Sequence, residues 1–169
     1  MVEHDICFDQ VHHVFTWVKG IQMNLSEQEE KLILDVGSGF LNSHRLVPDA
    51  LHCDVQLSNF VDVVCDIQHL PFKRGSFYRS YALHVLEHID NPILALKELI
   101  RVTKSVTCVE VPHRFSLNAR QDSSNRFDRH KCSFKPSWFH KVLRNYRHHL
   151  KTKHYFFGLL HIHVWIYIN

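Results

Sequence analysis

Residues Lys31–Phe40 read K-L-I-L-D-V-G-S-G-F, and the fold of the chain turns on how this stretch is read. Leu32, Ile33 and Leu34 form a short apolar run, the pattern of a strand buried on both faces. Asp35 falls where that strand would end. Gly37 and Gly39 then allow a sharp turn and leave no Cβ in the path of a ligand. A strand ending in a carboxylate and a glycine-rich turn is how an open α/β sheet holds a nucleotide-like ligand. The same residues also suit a plain strand-to-turn connection, because Phe40 and Leu41 stand where the dinucleotide fingerprint would continue to its third glycine. The residues beyond Phe40 decide between the two.

Strand and helix patterns alternate along the rest of the chain. Leu41–Asp49 reads as a short helix closed by Pro48, and Ala50–Val55 as a second strand tipped by Asp54. An acid at that tip can accept both hydroxyls of a ribose. Val61–Cys65 reads as a third strand ending at Asp66 and Ile67. Only Gln56–Phe60 separate it from the second, whereas a parallel crossover normally takes a dozen residues or more. Two arrangements stay open: a crossover reduced to a loop, or a hairpin that would remove Asp54 from any ribose. Ser80–Leu83 is a fourth strand running into His84–Ile89. Asn91-Pro92 opens a helix to Val102, with Ile93, Leu96, Leu99 and Ile100 on one face. Val106–Val111 is a fifth strand. Pro136–Leu150 is expected to be a helix, and His154–Phe157 and His161–Ile168 an antiparallel hairpin turning at Gly158. Upstream, His4–Ile21 has one apolar stripe at helical spacing, and Ser26–Glu29 resembles a capping start.

The expected architecture is therefore α/β: a Rossmann-like, mostly parallel seven-stranded sheet flanked by helices, with an antiparallel C-terminal hairpin and shortened helices after strands 1 and 2. At 169 residues and 45% hydrophobic content, one domain over 1–169 is expected, with residues 1–30 as an N-terminal helical segment. The polar stretch 113–135 has the length of a lid or substrate insertion. No apolar run reaches the ~20 residues of a membrane span, and a cytoplasmic location is expected. Five cysteines, an odd count without a C-x-x-C pair, suggest neither a thiolate zinc site nor a disulfide frame. Net charge is +3, but from His113 to His154 eleven Lys and Arg face only Asp122 and Asp128. That third suits phosphate, nucleic acid or an acidic surface, and equally a solvated face.

Four pieces in order resemble a class I S-adenosylmethionine-dependent methyltransferase, of the small-molecule type that includes ubiquinone and menaquinone biosynthesis enzymes. They are L-D-V-G-S-G (Leu34–Gly39), C-D-I-Q-H-L-P-F (Cys65–Phe72), H-V-L-E-H-I-D-N-P (His84–Pro92) and L-K-E-L-I-R-V (Leu96–Val102). The chain departs from that pattern at Tyr78, where an aspartate is usual, and at Lys104-Ser105-Val106, where a Lys-Pro-Gly-Gly turn is usual. The resemblance implies S-adenosyl-L-methionine as cofactor. It implies Gly37, Ser38 and Gly39 against the methionine part, Asp35 holding that turn or the amino group, and Asp54 on the ribose with Val55 beside the adenine. Asp66 would accept from the adenine amino group, Ile67 would line the ring, and Ala82, Leu83 and His84 would floor the sulfonium end.

Methyl transfer from a sulfonium is an in-line displacement, for which the protein must align the partners and exclude water. A base is needed only for a protonated acceptor, and His84, His88, His113 and His130 are the candidates. The acceptor is expected to be a small molecule, with phosphorylated and lipid-like ones both compatible. Phe115, Phe127, Phe134 and Trp138 would suit a flat acceptor or a core. A non-catalytic methyltransferase-like module that binds RNA or a protein is the alternative. His84–His88 also matches H-x-x-E-H, in which two histidines on a helix chelate zinc. That chemistry needs a long helix and another acidic ligand, whereas here the motif follows a strand and a new helix starts at Asn91-Pro92, so no metal is expected.

Overall fold

The computed structural model describes residues 32–39, 47, 49–117, 119, 127, 129–155 and 158–168. The expected helices at His4–Ile21 and Ser26–Glu29 lie outside these residues, as does nearly all of Leu41–Asp49.

Seven strands form one sheet: β1 Ile33–Val36, β2 Ala50–Asp54, β3 Val63–Val64, β4 Phe77–Leu83, β5 Thr103–Pro112, β6 Arg147–Tyr155 and β7 Leu159–Tyr167. Their order is β3-β2-β1-β4-β5-β7-β6. The first five are parallel, and β7 and β6 complete the edge as an antiparallel hairpin. The order runs outward from β1 in one direction and from β4 in the other. The connections therefore part between β1 and β4, and a crevice opens beyond their carboxyl ends.

The pairing of β2 with β3 is parallel, with Cys53 opposite Val63 and Asp54 opposite Val64, so the hairpin alternative is excluded. A loop suffices because β3 is only two residues long. Asp62 ties the loop to β2: its N–H donates to the His52 carbonyl at 2.8 Å and its Oδ2 accepts from His52 N–H at 2.9 Å.

Helix α1, Pro92–Val102, starts as the sequence predicts. Pro92 supplies the fixed φ of the first turn, and Asn91 Oδ1 accepts from Leu94 N–H at 3.1 Å. Its buried face is Ala95, Leu96, Leu99, Ile100 and Val102, a helical repeat that joins the core with Leu34, Val36, Val109 and Val111 of the sheet. Ile93, expected on that face, is 41% exposed.

Helix α2, Pro136–Val142, is half the expected length, and the strand expected from His154 begins earlier, at Arg147, so that residues 147–153 are strand rather than helix and loop. The run Arg147–Tyr155 alternates exposed and half-buried positions and pairs with β7 along its whole length. Period two with a partner strand overrides a helical reading. Gly158, with φ 75°, lies between β6 and β7, as expected of the hairpin turn.

Candidate functional site

A cleft of about 410 Å³ opens at the crevice between β1 and β4, within the size range of small-molecule sites. Gly37 and Gly39, both at positive φ (75° and 62°), carry the chain round its rim. Gly37 N–H donates to the Cys53 carbonyl at 2.8 Å, which locks the turn onto β2. A Cβ on Gly37 would run into Val85 Cγ2, whereas one on Gly39 would meet nothing within 4 Å. The two glycines therefore do different work: Gly37 lets the turn pack on Val85, and Gly39 leaves the cleft open.

Asp54 ends β2 with its carboxylate at the rim. Oδ2 accepts from Gly39 N–H at 2.9 Å and Oδ1 from Gln56 N–H at 2.8 Å. A carboxylate has about four acceptor sites, so two N–H bonds orient it without exhausting it. Val55, half exposed, and buried Ile67 supply apolar lining. Asp66 caps the 3₁₀ turn Ile67–His69: Oδ1 accepts from Gln68 N–H at 2.8 Å, and the carboxylate also takes the Gln68 side-chain amide.

That turn is held from behind. Glu98 Oε2 accepts from Leu70 N–H at 2.9 Å, and Arg101 donates to the Phe72 carbonyl at 2.6 Å and the Leu70 carbonyl at 2.9 Å. Arg101 Nε also pairs with Glu98 Oε1 at 2.6 Å. The second and fourth sequence pieces are thus two halves of one clamp. Charge-assisted bonds of this geometry are the stronger kind.

His84 sits at the end of β4 with φ 57°, an uncommon value for a residue with a side chain. Its N–H donates to the Glu110 carbonyl at 2.9 Å. The ring lies between two carboxylates, Nδ1 at 3.2 Å from Glu87 Oε1 and Nε2 at 3.3 Å from Glu110 Oε1. Burial alone would lower its pKa, but the hydrogen bonds its ring donates to Glu110 and Glu87 outweigh burial and raise it to about 9. For Glu110, burial works upward and is overcome by His84 and His161, which bring it down to about 2. His161 Nδ1 is 2.7 Å from Glu110 Oε1 and His163 Nδ1 is 3.2 Å from Oε2. Tyr155 OH meets His163 Nε2 at 3.0 Å.

Of the expected site residues, the cleft brings together Gly37, Gly39, Asp54, Val55, Asp66, Ile67, His84 and His88. Asp35 is turned away: it is 1% exposed, with Oδ2 3.1 Å from Nδ1 of buried His52. Strand alternation explains this, since Asp35 shares a sheet face with His52 and Tyr81, its neighbours in register. Ser38 is buried and Ala82 is sealed in the core. The Leu83 side chain lines a second cleft, on the sheet face that carries Arg79 and Tyr81. What reaches the first cleft after β4 is His84 and Val85. His113 is outside it: its N–H donates to the Leu160 carbonyl and its Nδ1 accepts from Phe115 N–H. His130 stacks edge-on against His88, ring centroids 4.8 Å apart.

Sequence reasoning misses Gln56, Gln68, Val85, Ile89, Asp90 and Lys131 in the lining. Gln68, Val85, Ile89 and Asp90 belong to the four family-like pieces and are legible as neighbours of the expected residues. Lys131 arrives from a distant loop with no local signal. Of the candidate aromatics, Phe127 lines the cleft, Phe134 is in the core and Phe115 is 74% exposed. His84 and His88 do not join one cluster as the zinc-chelating pattern requires, because Leu86–His88 is a single 3₁₀ turn rather than an α-helix.

A family described as a methyltransferase domain matches residues 34–109. An uncharacterised protein of Methanocaldococcus jannaschii is 28% identical over 101 residues, which is 54% of this chain and 44% of that protein. The chain thus spans under half the length of the curated relative it matches. Among solved structures, an S-adenosylmethionine-dependent methyltransferase of Archaeoglobus fulgidus aligns with TM-score 0.63 at 15% identity, over 82% of this chain and 87% of its own. A chain in the complex between the Haloferax volcanii Trm112 methyltransferase activator and a putative methyltransferase aligns with TM-score 0.62 at 14% identity, over 83% of this chain and 84% of the matched one. At these identities the likeness is one of fold, which is that of S-adenosylmethionine-dependent methyltransferases.

Proposed function

We propose, from the match of residues 34–109 to a methyltransferase domain family, that the chain binds S-adenosyl-L-methionine in the β1–β4 cleft and directs its methyl group to a small acidic acceptor. The observation that carries this reading is the Asp54 carboxylate, oriented by Gly39 and Gln56 N–H groups at the lip of a cleft walled by Val55 and Ile67. A fixed acceptor for two vicinal hydroxyls beside an apolar slot suits an adenosine. Gly37 and Gly39 give the methionine part a backbone without side chains to pass against. Asp66 stands beside Ile67 to take the adenine amino group.

When bound, the cofactor supplies an electrophilic methyl on a sulfonium. The chain's own part is alignment and exclusion of water. His84 holds its proton at neutral pH, so its role at the rim is that of a cation and hydrogen-bond donor rather than a base. Lys131, in the lining and paired with Asp90 at 2.8 Å, supports a phosphate-bearing acceptor. An activator protein stands as a further proposed partner, by likeness to the Haloferax volcanii complex. Among the described residues no helix is long and apolar enough to cross a membrane.

A second reading has its own observation. Arg147, His149, Lys151 and Lys153 are exposed on edge strand β6, at alternate positions that share one face. A basic stripe of that kind suits RNA. Calorimetric titration with S-adenosylmethionine separates the two. One site of micromolar affinity supports the enzyme. Absence of heat, with RNA binding that weakens steeply as salt rises, would replace it with a non-catalytic module.

A further inference from the structure

Methyl transfer uses few titratable groups, yet the carboxyl edge of the sheet gathers two clusters of three. One is His84, Glu110 and His161, the other Glu87, His88 and His130, and in each a ligand-type atom of every residue lies within 4.8 Å of the others. In the first, Glu110 already faces three imidazole rings and both of its oxygens are engaged by them, while His161 Nε2 stays buried without a partner among the described residues.

In the second, the Glu87 side chain is 1% exposed; Oε1 is used by His84, and Oε2 has no hydrogen-bond partner among the described residues. His130 Nδ1 is likewise buried without a partner among them, while the ring bonds to the Ala119 backbone. His88 Nδ1 lies 3.2 Å from the Arg129 carbonyl. A carbonyl can only accept, so His88 Nδ1 donates there, and in a neutral ring its Nε2 then carries the lone pair. The cluster thus brings a His88 lone pair near His130 Nδ1 and Glu87 Oε2, neither of which has a partner among the described residues. A buried carboxylate oxygen with no donor is costly, and a cation relieves it.

The surroundings are those of a ligand set held in advance. A backbone carbonyl fixes Nδ1 of His88, the usual support of metal-binding imidazoles. Lys131 and Cys132 N–H groups donate to the Glu87 carbonyl at 2.7 and 3.0 Å, which staples the loop bearing His130 to Glu87. His88 belongs to the cleft lining, so the set borders the cleft.

We propose that Glu87, His88 and His130 bind a divalent transition metal of the zinc class, with a coordination position open to the cleft. Two imidazoles and one carboxylate with a free position are a zinc set, and nitrogen ligands disfavour magnesium and calcium. The site differs from a zincin helix because His84 takes no part as a ligand. It does not depend on the cofactor reading, and it is tested without cofactor.

The full chain, stripped with a chelator, is titrated with zinc chloride by calorimetry. One equivalent binds to the wild type, and Glu87→Gln and His130→Ala each lose more than the ~10–100-fold typical of an outer-shell change. His148→Ala, at the exposed His140–His148 pair, binds as the wild type does. If His130→Ala does not fold by circular dichroism, Glu87→Gln and His88→Ala carry the comparison. Cobalt substitution should give visible bands without an intense thiolate charge-transfer band. Substoichiometric zinc, unchanged affinity in folded Glu87→Gln and His88→Ala, or a strong thiolate band assigning the metal to a cysteine would each overturn the proposal.

Discussion

Gly39 N–H donates to Asp54 Oδ2 at 2.9 Å across fifteen residues of sequence. This bond joins the turn after β1 to the tip of β2, the two places where a nucleotide-like ligand would be gripped. Asp54→Ala removes the rim acceptor and leaves the Gly39 and Gln56 amides without their side-chain partner. Affinity for S-adenosylmethionine is expected to fall by about 1–3 kcal/mol, from lost charge-assisted bonds. Calorimetry on the folded variant measures it, and an unchanged dissociation constant would remove Asp54 from the site.

The two glycines are expected to separate stability from binding. Gly37→Ala combines a positive φ with a clash on Val85, so the domain itself should lose stability in urea. Gly39→Ala has open space, and the left-handed backbone alone costs about 1–2 kcal/mol. Gly39→Val should still fold and lose cofactor affinity. Denaturation curves and titrations of both variants would show whether the two effects part in this way.

Arg101→Ala should loosen the cleft wall from behind. It strips the Leu70 and Phe72 carbonyls of their donor and leaves Glu98 without its cation. The expected cost is about 1–3 kcal/mol in chemical denaturation. Hydrogen exchange should rise first at residues 67–72. A variant as stable and as protected as the wild type would mean that the clamp is ornamental.

Glu110 makes stability depend on acid. Its pKa in the folded protein is about 2, below the ordinary 4.5, because His84 and His161 overcome the cost of burial. A depressed folded pKa gives stability that is complete above about 4.5 and lost as pH falls toward 2. Glu110→Gln should therefore be less stable than the wild type at pH 6, with the gap closing as pH approaches 2. A gap that stayed constant with pH would contradict this.

Much of this is legible in the sequence because it rests on local pattern. The apolar run before Asp35, the two glycines, and Asn91-Pro92 with its apolar face each fix their own conformation. The limits of β6 are not legible, because Arg147–Tyr155 is strand only through its partner β7. The sequence pattern puts Asp35 toward the ligand, yet strand alternation turns it to His52, a residue with no recognisable motif. The cluster at Glu87 is hidden for a similar reason. His88 and Glu87 are sequence neighbours, but His130 comes from a loop more than forty residues away, held there by the backbone staples at Lys131 and Cys132 and by the Lys131–Asp90 pair.

The most direct measurement is a crystal structure of the protein grown with S-adenosylhomocysteine. Adenosine density with ribose hydroxyls on Asp54 and the ring between Val55 and Ile67 is the expected result. A β1–β4 cleft left empty under saturating ligand, with the protein folded as described, would contradict it.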